Sequence, residues 1–337
     1  MHISTDMNKT AGKLIKLILI LSLLLQGCGA PGKGAGERDE HTGAGSYFDT
    51  YISIKIYGGS DEIIDGCFDI CSHYEELFSK SLSNSDIYRI NSSCGKAVKV
   101  SHETIKLIRD AGYFYELSGG DFDISIYPLS SLWDFSADDK SIPNKSDIDD
   151  ALLHVSYDNI LINEEDDTIT LLDPKGGIDL GGIAKGYIAD RLKDYLVSEG
   201  IDSAVINLGG NVLVIGSKPG GSPFNIGIQY PFRNTGEVIR SVKVSDKTVV
   251  SSGIYERFFE DNGRIYHHIL DPKTGCPAES DLLGATVITD SSEYADALST
   301  ICFMKGSTGA ENILKQLPYK AEAVLVTDEY EIIDISN

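Results

Sequence analysis

The segment Gly176-Gly177-Ile178-Asp179-Leu180-Gly181-Gly182-Ile183-Ala184-Lys185-Gly186 runs from a short strand through a double glycine into a helix, with a lysine in its first turn. Such a turn aims free N–H groups and the positive end of a helix dipole at an anion, and Lys185 adds a point charge. The spacing is neither Gly-x-x-x-x-Gly-Lys-Ser/Thr nor Gly-x-Gly-x-x-Gly, so it is not one of the common nucleotide fingerprints. Two readings stay open at this point: a phosphate site, or a tight strand-to-helix connection that simply needs glycine.

Reading outward from that turn gives short strands mixed with amphipathic helices. From Ile183 to Gly200 the residues Ile183, Tyr187, Ile188, Leu192, Tyr195 and Leu196 share one side, and Gly200 is the stop. Ala204 to Asn207 and Val212 to Ile215 flank Gly209-Gly210 as a strand pair. Further strands are expected at 225–229, 238–244, 248–251, 257–259 and 285–289, helices at 293–304 and 310–317, and a closing strand at 323–326. Toward the N-terminus, TYISIKIY (Thr50 to Tyr57) alternates as a strand. Ile63 to Phe78 and Glu103 to Leu117 have helical spacing, the second stopped by Gly119-Gly120. Ser79 to Ser85 reads as a loop, Ser136 to Asp150 as a charged surface excursion around Pro143, and Ile160 to Leu172 as a hairpin with its tip at Asn163 to Asp167. No period of roughly 20–50 residues repeats. The mixture favours an α+β fold over a doubly wound parallel sheet.

The chain has 337 residues, with 29 Lys+Arg against 51 Asp+Glu and a formal net charge of −22. Sequence-independent nucleic-acid binding needs basic stripes that displace counterions, so no nucleic-acid partner is expected. Hydrophobic residues at 42% and charged residues at 24% match globular usage and exclude wholesale disorder. Besides Cys28 there are five cysteines (Cys67, Cys71, Cys94, Cys276, Cys302), an odd number that argues against a complete disulfide framework. They read as mostly buried small apolar residues.

Lys9, Lys13 and Lys16 precede a mostly apolar run from Leu17 to Leu25, followed by Gln26-Gly27-Cys28. Nine residues at about 1.5 Å each cannot cross a hydrocarbon core of about 30 Å, so this is a secretory signal rather than a membrane span. The ending Leu25-Gln26-Gly27-Cys28 resembles a bacterial lipoprotein signal, in which Cys28 becomes the lipidated first residue. The expected organisation is a signal peptide at 1–27, a Gly-rich tether at 28–45 and a globular body at 46–337. The expected location is the extracytoplasmic face of the cell membrane, held by the lipid anchor.

Three further segments look over-specified for packing. In Glu293-Tyr294-Ala295-Asp296-Ala297-Leu298-Ser299-Thr300, Asp296 and Thr300 are i and i+4 and share a helix face. A carboxylate and a hydroxyl there suit a hard cation such as Mg²⁺, or else a helix-start acid with a threonine packed beneath it. In Tyr266-His267-His268-Ile269-Leu270-Asp271-Pro272-Lys273-Thr274-Gly275, strand alternation sends the two histidines opposite ways, so at most one serves a site. Gly119-Gly120-Asp121-Phe122-Asp123, leading to Pro128-Leu129 and Trp133, could hold a planar heterocycle or merely cap a helix.

Together these segments resemble the ApbE-type FAD:protein FMN transferases. The likeness rests on SDIYRIN (Ser85 to Asn91), GGDFDISIYPL (Gly119 to Leu129), IDLGGIAKGYIAD (Ile178 to Asp190), INLGGN (Ile206 to Asn211), SSGIYERFF (Ser251 to Phe259), YHHILDPKTG (Tyr266 to Gly275) and ADALST (Ala295 to Thr300), in that order. It implies a single large α+β body of mixed, largely antiparallel sheets with flanking helices, in two intimately packed subdomains. It also implies FAD as substrate, Mg²⁺ at the pyrophosphate, and attack by a Ser or Thr hydroxyl of a protein on the FMN-side phosphorus, with AMP leaving. By that likeness Asp296, Thr300 and the Gly182 carbonyl would hold Mg²⁺. Phe48, Asp121, Phe122, Asp123, Asp179, Lys185 and the backbone near Ile269 would contact FAD, and His268 would accept or relay the hydroxyl proton. The acceptor would be an exported or membrane-bound flavoprotein.

Two positions depart from the family pattern: Phe48-Asp49-Thr50 stands where many members have Met-Gly-Thr, and Ser81 where many have an aromatic residue. A dianionic pyrophosphate approaching so acidic a chain needs local positive potential, which Lys185, the helix start and Mg²⁺ would supply. Because the nucleophile belongs to the acceptor, the absence of a Ser/His/Asp or Cys/His nucleophile motif fits. The rival readings are a FAD pyrophosphatase giving FMN and AMP, a non-catalytic flavin-binding lipoprotein, and a chain that is itself flavinylated within Asp281-Leu282-Leu283-Gly284-Ala285-Thr286.

Overall fold

In the computed structural model, which describes residues 38–337 apart from Asp138, the alternating strand β2 (Thr50–Tyr57) buries Ile52, Ile54 and Ile56 completely and leaves Tyr51 exposed. It lies second in an eight-stranded, wholly antiparallel sheet. The order runs β1 (Glu40–Tyr47), β2, β6 (Ala204–Leu208), β7 (Asn211–Ile215), β10 (Thr248–Gly253), β13 (Leu282–Thr289), β14 (Glu322–Thr327) and β15 (Ile332–Ser336). A small sheet orders β3 (Val98–Lys99), β5 (Thr168–Leu171) and β4 (Ile160–Asn163), and two ribbons pair β8 (Phe224–Gln229) with β9 (Val238–Val244) and β11 (Phe258–Asp261) with β12 (Arg264–His267). The helices are α1 (Asp61–Phe78), α2 (Asp86–Asn91), α3 (His102–Ser118), α4 (Tyr127–Trp133), α5 (Lys145–Leu152), α6 (Ala184–Ser198) and α7 (Ser292–Gln316). The α+β class and the antiparallel sheets are as the sequence predicts.

Several local expectations change. Glu40–Tyr47 is a full strand paired residue for residue with β2, so residues 40–45 belong to the body and not to a tether. The glycines that make this stretch look like a linker are required by packing: a Cβ on Gly43 would lie 2.3 Å from Ile64 and 2.6 Å from Phe68 of α1. The rest of the tether, the signal segment and Cys28 lie outside the described residues. The excursion at 136–150 contains the start of α5, whose Ile148 and Ala151 are buried. The segment Gly177 to Leu180 joins no sheet; Asn91 brackets Ile178 instead, accepting from its N–H at 2.7 Å and donating to its carbonyl at 2.9 Å. Residues 38–337 form one compact unit around a core cluster that spans the sheet, α1, α3, α6 and α7, so the two expected subdomains share one core.

Helices α6 and α7 meet backbone to backbone. A Cβ on Gly186 would sit 2.2 Å from the Ser292 carbonyl oxygen, so only glycine lets the helices meet there. One turn later on α6, Asp190 accepts from the N–H groups of Ser292 (2.9 Å) and Glu293 (3.1 Å) and from the Ser291 hydroxyl (2.9 Å), satisfying the free donors that open α7. Helix α7 is broken at Gly306 (φ 68°), where Asp281 accepts from the Ser307 N–H and restarts the helix. A Gly186→Ala variant is expected to lose about 2 kcal/mol or more of stability, since overpacking against backbone leaves no flexible side chain to yield. Chemical denaturation of the purified variant measures it.

Candidate active site

Two tight turns end their hairpins at the same edge of the sheet. Phe48 (φ 53°) and Asp49 (φ 55°) join β1 to β2, and Gly209 (φ 61°) and Gly210 (φ 94°) join β6 to β7, both with the left-handed geometry that short hairpins need. Gly209 tolerates no side chain, because a Cβ there would lie 2.1 Å from the Thr50 hydroxyl. Around these turns opens a cleft of about 1770 Å³, walled also by the 79–82 loop, residues 121–126, the 179–185 hinge, β10, the two ribbons, His268 and the Asp296/Thr300 face of α7. Every residue expected from sequence to contact FAD or the cation lines this one cleft, among the described residues. Cys28 lies outside them.

The Asp296 carboxylate is buried at the junction of α6 and α7. Its Oδ2 accepts from the Gly186 N–H at 2.9 Å, and its Oδ1 lies 3.6 Å from the Lys185 ammonium, which also donates to the Gly181 carbonyl at 3.2 Å. Thr300, one turn along α7, is half-buried on the cleft wall. Gly182 packs against the Phe122 ring, where a Cβ would lie 2.9 Å from its edge. Among the described residues no three His, Cys, Asp or Glu side chains cluster as a metal cage. A cation at Asp296 and Thr300 would therefore complete its shell from backbone carbonyl, water and substrate oxygens, as Mg²⁺ commonly does.

The acids expected to contact FAD are largely engaged by the protein. Asp179 accepts from the Lys80 ammonium (2.7 Å), the Ser130 hydroxyl (2.7 Å) and the Gly181 N–H (2.9 Å). Burial pushes its carboxyl up, but these partners outweigh that and hold it below the usual carboxylate range. Asp121 is clasped by Lys273 and by Lys305 (2.6 Å). Asp123 accepts from the N–H groups of Ser125 (2.8 Å) and Tyr157 (3.2 Å), so it braces the loop with both oxygens. Phe122 is mostly in the core, edge-on to Phe114. Phe48 hangs its N–H on Glu75 (2.7 Å), and Ile269 is buried with its carbonyl accepting from the Ala278 N–H. Lys80, Ser130 and Arg257, which ties its guanidinium to the Asp49 carbonyl (3.0 Å), were not singled out by sequence. The Ser-rich loop and the SSGIYERFF motif were the only signals for Lys80 and Arg257.

The histidine pair divides as alternation predicts. His267 is buried edge-on to Phe303 with Nε2 facing the Ala278 carbonyl at 3.2 Å, and burial pulls it down to about 4. His268 faces the cleft; burial, Arg257, His267 and Lys185 lower it to about 3. Its Nδ1–H donates to the Arg257 carbonyl at 3.3 Å, which leaves Nε2 as a neutral acceptor. Thr286, the residue of the internal acceptor-like segment, is buried in β13 and hydrogen-bonded to Ser251 at 2.8 Å, so no hydroxyl is offered there. Of the cysteines, Cys67, Cys71 and Cys302 are buried as expected, whereas Cys94 is exposed.

The His267 shift has a definite sign. Between the ordinary value of 6.5 and about 4 the unfolded chain binds the proton and the folded chain does not, so stability falls as pH drops through that window. At pH 5 this one residue costs about 2 kcal/mol relative to pH 8. His267→Gln, which keeps a donor for Ala278, is expected to remove about that much of the acid-induced loss in denaturation curves compared at the two pH values.

The ApbE family model matches residues 48–325. A FAD:protein FMN transferase from Klebsiella pneumoniae (strain 342) is 34% identical over 283 residues, 84% of this chain and 87% of that protein. One from Treponema pallidum (strain Nichols) is 30% identical over 318 residues, 89% and 88% of the two chains. Among solved structures, the ApbE protein of Thermotoga maritima is similar with a TM-score of 0.80 at 30% identity, over 88% of this chain and 97% of that one. The apo flavinyl transferase ApbE of Pseudomonas stutzeri is similar with a TM-score of 0.77 at 25% identity, over 90% and 96%. With a family model spanning most of its length and relatives of this closeness, the chain belongs to the ApbE family and is a transferase enzyme.

Proposed function

We propose that this enzyme transfers FMN from FAD to a Ser or Thr hydroxyl of a protein, with Mg²⁺ at the pyrophosphate and AMP as leaving group. Flavin transfer, with FAD as substrate and a protein as acceptor, comes with the family; the finer statement rests on the cleft. The observation that carries it is the convergence of Asp296, Thr300, the 181–182 hinge, Lys185 and a neutral His268 in one cavity. At about 1770 Å³ that cavity exceeds the roughly 300–1,000 Å³ of an ordinary small-molecule site, so an acceptor segment has room beside a dinucleotide.

The residues fit a hard cation: one oxygen of Asp296 is fixed by the Gly186 N–H, the other is held only by a long contact to Lys185, and the Thr300 hydroxyl stands on the same helix face. When bound, Mg²⁺ neutralises charge that develops on the pyrophosphate oxygens. Lys185, at the first turn of α6, adds positive charge and orients the diphosphate against the hinge. Nε2 of His268 accepts the proton from the attacking hydroxyl as its oxygen bonds to the FMN-side phosphorus. The phosphorus–oxygen bond to AMP then breaks and AMP carries the negative charge away. Burial and the neighbouring cations keep His268 neutral, which leaves its Nε2 lone pair open but makes it a weak base. The proton therefore moves together with formation of the oxygen–phosphorus bond and not before it.

The membrane part of the proposal rests on the N-terminal sequence: lipidation at Cys28 would hold the enzyme on the extracytoplasmic face, within reach of an exported or membrane-bound flavoprotein. Among the described residues no helix is long and apolar enough to cross a membrane.

Mass spectrometry of a Ser/Thr-containing acceptor peptide incubated with FAD, Mg²⁺ and the protein should show added FMN and equimolar AMP. Free FMN beside unmodified peptide would instead make the protein a FAD pyrophosphatase. Asp296→Ala is expected to cut metal-dependent AMP release by about a thousandfold, the loss of one anchor for a charge-neutralising ion. His268→Gln is expected to slow transfer by about a hundredfold or more, with FAD affinity little changed in a fluorescence titration.

A further inference from the structure

Ser252 in β10 touches two neighbouring hydroxyls of α7: its Oγ lies 2.7 Å from Ser299 Oγ and 3.1 Å from Thr300 Oγ1. Ser299 is fully buried and its hydroxyl donates to the Asp296 carbonyl at 2.9 Å. A carbonyl oxygen can only accept, and a hydroxyl has one proton. The Ser299 proton is therefore committed, so Ser252 must donate to Ser299. Its own proton thus used, Ser252 can only accept from Thr300. The direction of all three bonds follows from the one carbonyl: Thr300 to Ser252, Ser252 to Ser299, Ser299 to Asp296.

From this order we propose that Ser252 is a positioning residue for the cation site, drawing the Thr300 proton toward β10 so that the Thr300 lone pairs are left for an ion in the cleft. This rests on the Asp296/Thr300 reading above. A threonine hydroxyl free to rotate could turn its proton toward the ion and repel it. The ordered chain removes that state before any ion arrives, and it ties Thr300 to the backbone of Asp296, the other side-chain ligand. Groups behind a metal ligand typically change metal affinity by about 10- to 100-fold when removed.

The test is a titration of Mn²⁺, which accepts the same oxygen donors, into the full chain with FAD present and no acceptor, reading free ion by electron paramagnetic resonance. Ser252→Ala is expected to bind Mn²⁺ about tenfold more weakly with an unchanged melting temperature in EDTA, and Ser252→Thr, which restores a hydroxyl, to bind within about threefold of the parent. Ser299→Ala, which frees the Ser252 proton, is expected to fall between them. Parent-like Mn²⁺ affinity in Ser252→Ala, or equal weakening in Ser252→Ala and Ser252→Thr, overturns the relay alone. Should Ser252→Ala fail to fold, parent-like affinity in Ser299→Ala overturns it and weakened affinity supports it. Undiminished binding in Asp296→Ala shows that the ion site itself is misassigned, and the relay falls with it.

Discussion

The hydrogen bond from the Gly186 N–H to Asp296 joins the two halves of the site. It runs between the first turn of α6 and the first turns of α7, across a contact that no side chain could enter. The 181–182 hinge is thereby held at a fixed distance from the Asp296/Thr300 face, although the two are more than a hundred residues apart in sequence. A charge-assisted bond of this kind contributes about 1.5–3 kcal/mol, and it satisfies a carboxylate oxygen that the helix–helix junction takes out of water. Asp190 repeats the arrangement one turn later with three donors from the start of α7. The helix pair is locked by acids that accept from backbone, not by apolar contact alone.

How an anionic substrate enters so acidic a protein follows from the same economy of charge. Each acid on the cleft wall that sequence marks for FAD or the cation is already matched to a cation or to N–H donors: Asp179 to Lys80, Asp121 to Lys273 and Lys305, Asp296 to Lys185, Asp123 to two backbone amides. The wall carries further acids, among them Glu75, which accepts from the Phe48 N–H, and Glu256, whose carboxyl burial pushes up to about 7. Pairing at close range weakens the field that would otherwise repel a diphosphate, and the first turn of α6 adds the positive end of its dipole.

Periodicity was enough for what packs by periodicity. The alternation of β2, the 3.6-residue stripe of α1, α3 and α6 and the glycine turn between β6 and β7 all stand where the sequence puts them. The residues that the motifs mark line one cavity in the structure. What the sequence hid was partnership. Glycines in β1 look like linker because the α1 side chains that need the space are distant in sequence. β15 is an edge strand with two of its five residues exposed and none buried, so it lacks a core signature. Asp121 and Asp123 read alike as ligand contacts, yet one is clasped by two lysines and the other braces backbone, a difference made by residues 273, 305 and 157.

The two histidines show why adjacency in a strand does not mean shared chemistry. Both are held neutral by burial, but the direction of the single N–H decides the role. His267 turns Nε2 to the Ala278 carbonyl inside the core and stacks edge-on to Phe303, so its ring is an apolar spacer with one satisfied pole. His268 turns Nδ1 to the Arg257 carbonyl at the rim, and that same carbonyl accepts its backbone N–H. The ring is therefore pinned at both ends of its own residue to Arg257, whose guanidinium is in turn fastened to the Asp49 turn. The acceptor nitrogen is consequently referenced to the turn that joins β1 to β2, the same edge of the sheet from which the hinge and the Asp296/Thr300 face are reached. A proton acceptor and a charge-neutralising site built on separate elements thus keep a common frame without touching each other.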